Sequence, residues 1–109
     1  MANTIVQTNF TFNATPEEFE AAAPAFLDAF VHLPGLVWKI WLLNGAEREA
    51  GAILHFESES ALNAYLDGPL VTALEQHPAI VSLSVKQFAV MPELTAATRG
   101  PVSLAGASA

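Results

Sequence analysis

Leu36-Val37-Trp38-Lys39-Ile40-Trp41-Leu42-Leu43-Asn44-Gly45, running on into Arg48-Glu49-Ala50-Gly51-Ala52-Ile53-Leu54-His55-Phe56, is the stretch on which the fold turns. Branched and aromatic residues crowd both halves, as pleated strands favour. Asn-Gly between them is the pair preferred in a tight hairpin turn. The stretch therefore reads as two antiparallel strands, the second starting near Arg48. Simple alternation puts Trp38, Ile40 and Leu42 on one face of the first strand and Val37, Lys39, Trp41 and Leu43 on the other.

Upstream, Leu33-Pro34-Gly35 is a stop signal for a helix. That helix carries Phe19, Ala22, Ala23, Phe26, Leu27, Phe30 and Val31 at helical spacing, an apolar stripe wide enough to cover a sheet. Its start is written in Thr15-Pro16-Glu17-Glu18: an N-cap, a proline at the first helical position, and acids where the helix dipole favours them. Pro24 lies inside the helix and is expected to kink it. Before it, residues 4–12 alternate Val6, Thr8, Phe10 and Phe12 against Ile5, Gln7, Asn9 and Thr11, which predicts a first strand. Downstream, Ala61, Leu62, Ala64, Tyr65 and Leu66 predict a helix broken at Asp67-Gly68-Pro69 and resumed to His77-Pro78. Ile80 to Val90 is a fourth strand.

Strand, helix, strand, strand, broken helix, strand is the order of the split βαβ arrangement. The expectation is an α+β, ferredoxin-like domain over residues 1–92, a four-stranded antiparallel sheet with both helices on one face. Residues 93–109, rich in small residues, read as a flexible tail. The helix-facing side is assigned Thr8, Phe10, Trp38, Ala52, Leu54, Phe56 and Tyr65. The open side is assigned Ile5, Val37, Trp41, Leu43, Ile53 and Phe88, which is too apolar to leave in water. A second copy laid sheet to sheet, a homodimer, is the expected cover.

Composition narrows the function. Of 109 residues, 52% are hydrophobic, which leaves apolar surface for a ligand or partner. Four Lys plus Arg against eleven Asp plus Glu give a net charge of −7, which repels nucleic acid and anionic membranes. The absence of cysteine excludes disulfides, cysteine zinc sites and thiol nucleophiles, and agrees with a reducing, cytoplasmic setting. No apolar run reaches the roughly 20 residues of a membrane helix, and no signal peptide is expected. The serine-hydrolase elbow, phosphate loop, HExxH and EF-hand patterns are missing.

His32, His55 and His77 show no metal-chelating spacing, so no metal is expected. His32 and His77 fall near helix C-termini, where they answer the dipole. His55, by contrast, occupies an apolar strand and shares a face with Gly51 and Ile53. It reads as a buried or interface histidine, with a general base as the sharper alternative. Trp38 and Trp41 point to opposite faces, one beside a ligand cleft and one at the sheet interface. Gln7, Asn9, Lys39 and Lys86 are polar groups on strand faces that need partners. The glutamates sit at helix starts and in the hairpin as solvated or capping groups.

Leu33-Pro34-Gly35-Leu36-Val37-Trp38-Lys39-Ile40-Trp41, then Glu49-Ala50-Gly51-Ala52-Ile53, Phe56, and Ser60-Ala61-Leu62-Asn63-Ala64-Tyr65-Leu66 together resemble the YdhR-like monooxygenases. Gln7 to Asn13 and Val85 to Val90 are similar too, so the resemblance spans nearly residues 4–92. It implies a dimeric α/β barrel, related to antibiotic-biosynthesis monooxygenases that oxidise aromatic polyketides without metal, flavin or haem. Those relatives hold the pocket between sheet and helices, and place an Asn and a Trp where this chain has Ala52 and Phe56.

The resulting expectation is a cofactor-independent monooxygenase acting on a small aromatic or polyketide-like substrate. Trp38, Thr8, Phe10, Leu54, Phe56 and Trp41 are its expected substrate contacts. His55, Asn9 and Tyr65 are its expected catalytic helpers. Isomerisation or cyclisation in the same pocket is one alternative, and a dimeric module that only binds a hydrophobic ligand is another.

Overall fold

The computed structural model describes residues 2–102. Strand β1 (Asn3–Phe12) is followed by α1 (Pro16–Ala22), whose entry is a complete capping box. The Glu18 amide donates to Thr15 Oγ1 at 3.1 Å, and the Thr15 amide donates to Glu18 Oε1 at 3.0 Å. Pro24 acts as its missing N–H requires: the α-helix gives way to a 3₁₀ turn over Ala23–Phe26 and restarts as α2 (Leu27–Val31). Then come β2 (Leu36–Asn44), β3 (Glu49–Phe56), α3 (Glu59–Leu66), α4 (Pro69–Gln76) and β4 (Ile80–Ala89).

The sheet order is β2-β3-β1-β4 with every pair antiparallel, so β1 and β3 are central and β2 and β4 are edges. This is the expected ferredoxin-like arrangement. On the helix side, Val6, Leu54, Phe56, Leu62, Tyr65 and Phe30 form the main core. Phe10, Phe12 and Ala50 form a second cluster, on which Phe19 of α1 stacks at 4.5 Å from the Phe12 ring. Glycine is required at Gly35, which has φ +78° and whose added Cβ would overlap Ala61 of α3.

Two local expectations change. The hairpin is not closed by Asn44-Gly45 alone. Asn44 pairs with Glu49, the chain makes a 3₁₀ turn over Gly45–Glu47, and Arg48 takes the left-handed conformation at φ 51°. Asn44 Oδ1 accepts the Glu47 amide, so its side chain caps that turn. Beyond β4, where the sequence reads as a flexible tail, Pro92–Ala97 forms α5, and the indole of Trp38 donates to the Pro101 carbonyl at 2.8 Å. The remainder of that tail, 103–109, lies outside the described residues.

The larger correction concerns β2. Leu36 pairs with Phe56, yet Trp38 pairs with His55, so Val37 is an extra residue, a bulge against β3. One extra residue inverts every side chain that follows. Lys39, Trp41 and Leu43 consequently share the helix-facing side with Leu54, Ala52 and Ala50, their register partners. Trp38, Ile40 and Leu42 move to the open side. The expected faces of the two tryptophans are thus exchanged, and Leu43 leaves the open-face set while Ile5, Ile53 and Phe88 stay in it.

Candidate active site

A cavity of about 500 Å³ lies between the sheet and the helices, within the size range of small-molecule sites. The sheet supplies Thr8, Phe10, Lys39, Trp41 and Ala52 to its wall; α1, α2 and the turn between them supply Phe19, Phe26 and Phe30; α3 supplies Tyr65. Local structure explains this layout. The Pro24 break lets the α1–α2 arm bring Phe30 down onto β2, where its ring meets Trp41 edge-on at 5.6 Å. Gly51, also on the wall, has no side chain because a Cβ there would run into the Thr8 backbone carbonyl and Asn9 Oδ1.

Lys39 is the chemically distinctive group. Its Nζ sits 3.2 Å from the centroid of the Phe30 ring and 3.7 Å from that of Trp41. Burial pushes its pKa down to about 7, because the ammonium loses water without gaining a carboxylate in exchange. The two ring faces favour the ammonium by about 0.5–2 kcal/mol. That is less than the cost of a desolvation that takes a lysine from 10.5 to about 7. A substantial share of the amine is therefore neutral near pH 7.

Tyr65 is buried, with its ring 5.3 Å from Phe56 and 6.2 Å from Phe30. Burial pushes its phenol up to about 12, so it remains a proton donor at neutral pH. Thr8 is buried on the same wall and brings a hydroxyl. At the rim, His77 accepts the Ala79 amide through Nδ1 at 3.1 Å, and Glu18 is occupied by the capping box. Among the described residues no group of three His, Cys, Asp or Glu side chains could hold a metal.

Of the side chains expected at the site, Thr8, Phe10, Trp41 and Tyr65 come together around the cavity. Leu54 and Phe56 lie beneath it, wholly buried in the core. Asn9, His55 and Trp38 are on the opposite face of the sheet. His55 lies 5.4 Å from the Trp38 ring there, its pKa lowered by burial against a smaller opposing effect of the Thr4 backbone. Among the described residues its buried Nδ1 has no partner in hydrogen-bonding geometry. From the sequence Lys39 reads only as a polar strand residue. The signal that marks it is a lysine flanked at both near positions by tryptophan or isoleucine in an otherwise apolar strand, which is where desolvation is strongest.

Trp38→Ala is accordingly expected to leave ligand affinity in the cavity within twofold of wild type. The same change frees the C-terminal segment held through Pro101, seen as faster amide exchange over residues 92–102. A tenfold loss of cavity binding would contradict the placement.

A family model described as "Putative mono-oxygenase ydhR" matches residues 5–101. Among curated proteins no relative matches. Among solved structures, a Nitrosomonas europaea protein of unknown function, NE2512, superposes with a TM-score of 0.70 at 15% identity, covering 84% of this chain and 91% of that one. SnoaB, a cofactor-independent oxygenase from Streptomyces nogalater, in its N63A form, superposes at 0.67 with 21% identity, over 86% of this chain and 98% of its own. The heme-degrader MhuD of Mycobacterium tuberculosis superposes at 0.60 with 25% identity, over 80% and 95%. The two neighbours below 25% identity speak for the fold, and the family match, which takes in both β2 with its half-buried Lys39 and α5, speaks for lineage: this chain belongs to the ydhR mono-oxygenase family.

Proposed function

We propose that the protein is a cofactor-independent monooxygenase whose substrate, a small aromatic molecule with an acidic phenol or an activated methylene, binds in the cavity with Lys39 as its base. The observation that carries this reading is the neutral-prone amine held against two aromatic rings in a mostly apolar chamber. SnoaB, of the same fold, is described as a cofactor-independent oxygenase, which agrees with it.

The chemistry proceeds in balanced steps. Lys39 takes a proton from the substrate, and the resulting carbanion, delocalised over the ring, passes one electron to dioxygen. The substrate radical and superoxide then join through a new C–O bond. The peroxide anion recovers the proton from the Lys39 ammonium, and the hydroperoxide loses water to leave a carbonyl. A methylene plus O₂ thus becomes a carbonyl plus water, and no outside reductant enters. Tyr65 donates a hydrogen bond to the developing oxyanion, and the apolar wall keeps bulk water from the carbanion.

Ile40, Leu42 and Phe88 are exposed on the open sheet face, and a second copy of the chain is the cover we propose for it. The cysteine-free composition suits a cytoplasmic protein, and no helix among the described residues is long and apolar enough to cross a membrane.

Oxygen consumption with mass-resolved products tests the function, using metal-free protein, a panel of phenols and hydroquinones, and a no-enzyme control. Uptake with one oxygen atom added to the product supports the reading. A transformed product without uptake would replace it with isomerase or cyclase chemistry, and bound but unaltered compounds would replace it with ligand carriage.

A further inference from the structure

The chamber around Lys39 suits a second chemistry that involves no oxygen. We infer that Lys39 is a covalent capture site for aromatic aldehydes and ketones, the ring of the ligand lodging among Phe10, Phe19, Phe30 and Trp41 while its carbonyl carbon meets Nζ. The geometry carries this. An imine forms when an amine lone pair is free, the carbonyl partner is held beside it, and the water released can leave. Here Nζ stands over the Phe30 and Trp41 rings on the wall of a roughly 500 Å³ cavity lined mostly by apolar groups, so an aryl group entering it is delivered to the amine. The fall of the amine's pKa to about 7 leaves a neutral nucleophile available at physiological pH. In the reaction the C–N bond forms, the carbonyl oxygen leaves as water with the two amine hydrogens, and no oxidant or reductant takes part.

The chain contains its own control, because its two lysines, Lys39 and Lys86, face opposite sides of the sheet. Lys86 is exposed on β4 opposite Gln7 and is not part of the Lys39 cavity wall. Full-length protein, folded or unfolded in urea, is incubated at pH 7 with 2-naphthaldehyde and sodium cyanoborohydride, which reduces any imine to a stable secondary amine, and the two lysine peptides are compared by mass spectrometry. The expected result is at least tenfold more naphthylmethyl adduct on Lys39 in the folded protein than on Lys39 of the urea-unfolded chain at the same pH. Added 2-naphthalenemethanol, which has the ring without the carbonyl, should suppress the Lys39 adduct and leave that of Lys86 unchanged. Equal or lower labelling of Lys39 in the folded protein, or labelling that the alcohol does not suppress, overturns the inference. The assay reads no oxygen uptake, so it fails or succeeds separately from the monooxygenase reading.

Discussion

Lys39→Met should lower kcat/KM for oxygenation of an aromatic substrate by about 10²–10⁴-fold, the usual contribution of a positioned general base. Methionine keeps the length and apolar stem of the side chain, so Phe30 and Trp41 retain a neighbour and the cavity its shape. What disappears is the only amine on the described cavity wall. The pH profile separates this from a packing defect. In the wild type, kcat/KM should rise with pH as the Lys39 ammonium gives up its proton around pH 7 and level off above it. The variant should show a flat residual rate across that range. A variant that keeps the wild-type rate and the same rising limb would remove Lys39 from the reaction.

Stability gives the same substitution an independent check. The Lys39 pKa is about 7 in the folded protein against 10.5 in a freely solvated lysine, so between those values the unfolded chain binds more protons and wild-type stability rises with pH. The burden of the buried amine is therefore full below about pH 7 and gone above about 10.5. Lys39→Met should raise the urea midpoint most at pH 6, with the gain shrinking steadily toward pH 10. A gain that does not change with pH would mean that the amine is solvated in the folded state.

Leu54→Ala should cost about 2–5 kcal/mol of folding stability, the range for a large core residue cut to a methyl. Leu54 is wholly buried, on central strand β3, in the cluster with Val6, Phe56 and Leu62, and strands on both sides leave it no room to relax. Against a total of about 5–15 kcal/mol for a domain of this kind, that loss is severe. Equilibrium urea unfolding measures it. Affinity for a naphthyl ligand in the variant that remains folded should change by less than about threefold, because the side chain lies under the cavity rather than on its wall. The opposite pattern, intact stability with lost binding, would restore Leu54 to the substrate contacts.

Strand and helix order, the Thr15 capping box, the break at Pro24 and the stop at Leu33-Pro34-Gly35 were determined by the sequence itself. Each rests on interactions within a few residues: a side chain reaching the amide three positions on, a ring that removes an N–H, a backbone that only glycine adopts freely. Phe10, Thr8 and Tyr65 were legible at the site for the same reason, since alternation along an unbroken strand or a helix turn carries their direction. Which tryptophan meets the cavity depends on strand pairing. Alternation sets the relative faces within a strand, but the bulge at Val37 arises from how β2 pairs with β3, and it inverted Trp38, Lys39 and Trp41 together. The chemistry of Lys39 was likewise beyond local reading. Its lowered pKa comes from desolvation by the elements packed over it, among them the helix that the Pro24 break directs onto the sheet, and such burial leaves no mark on the residues beside it.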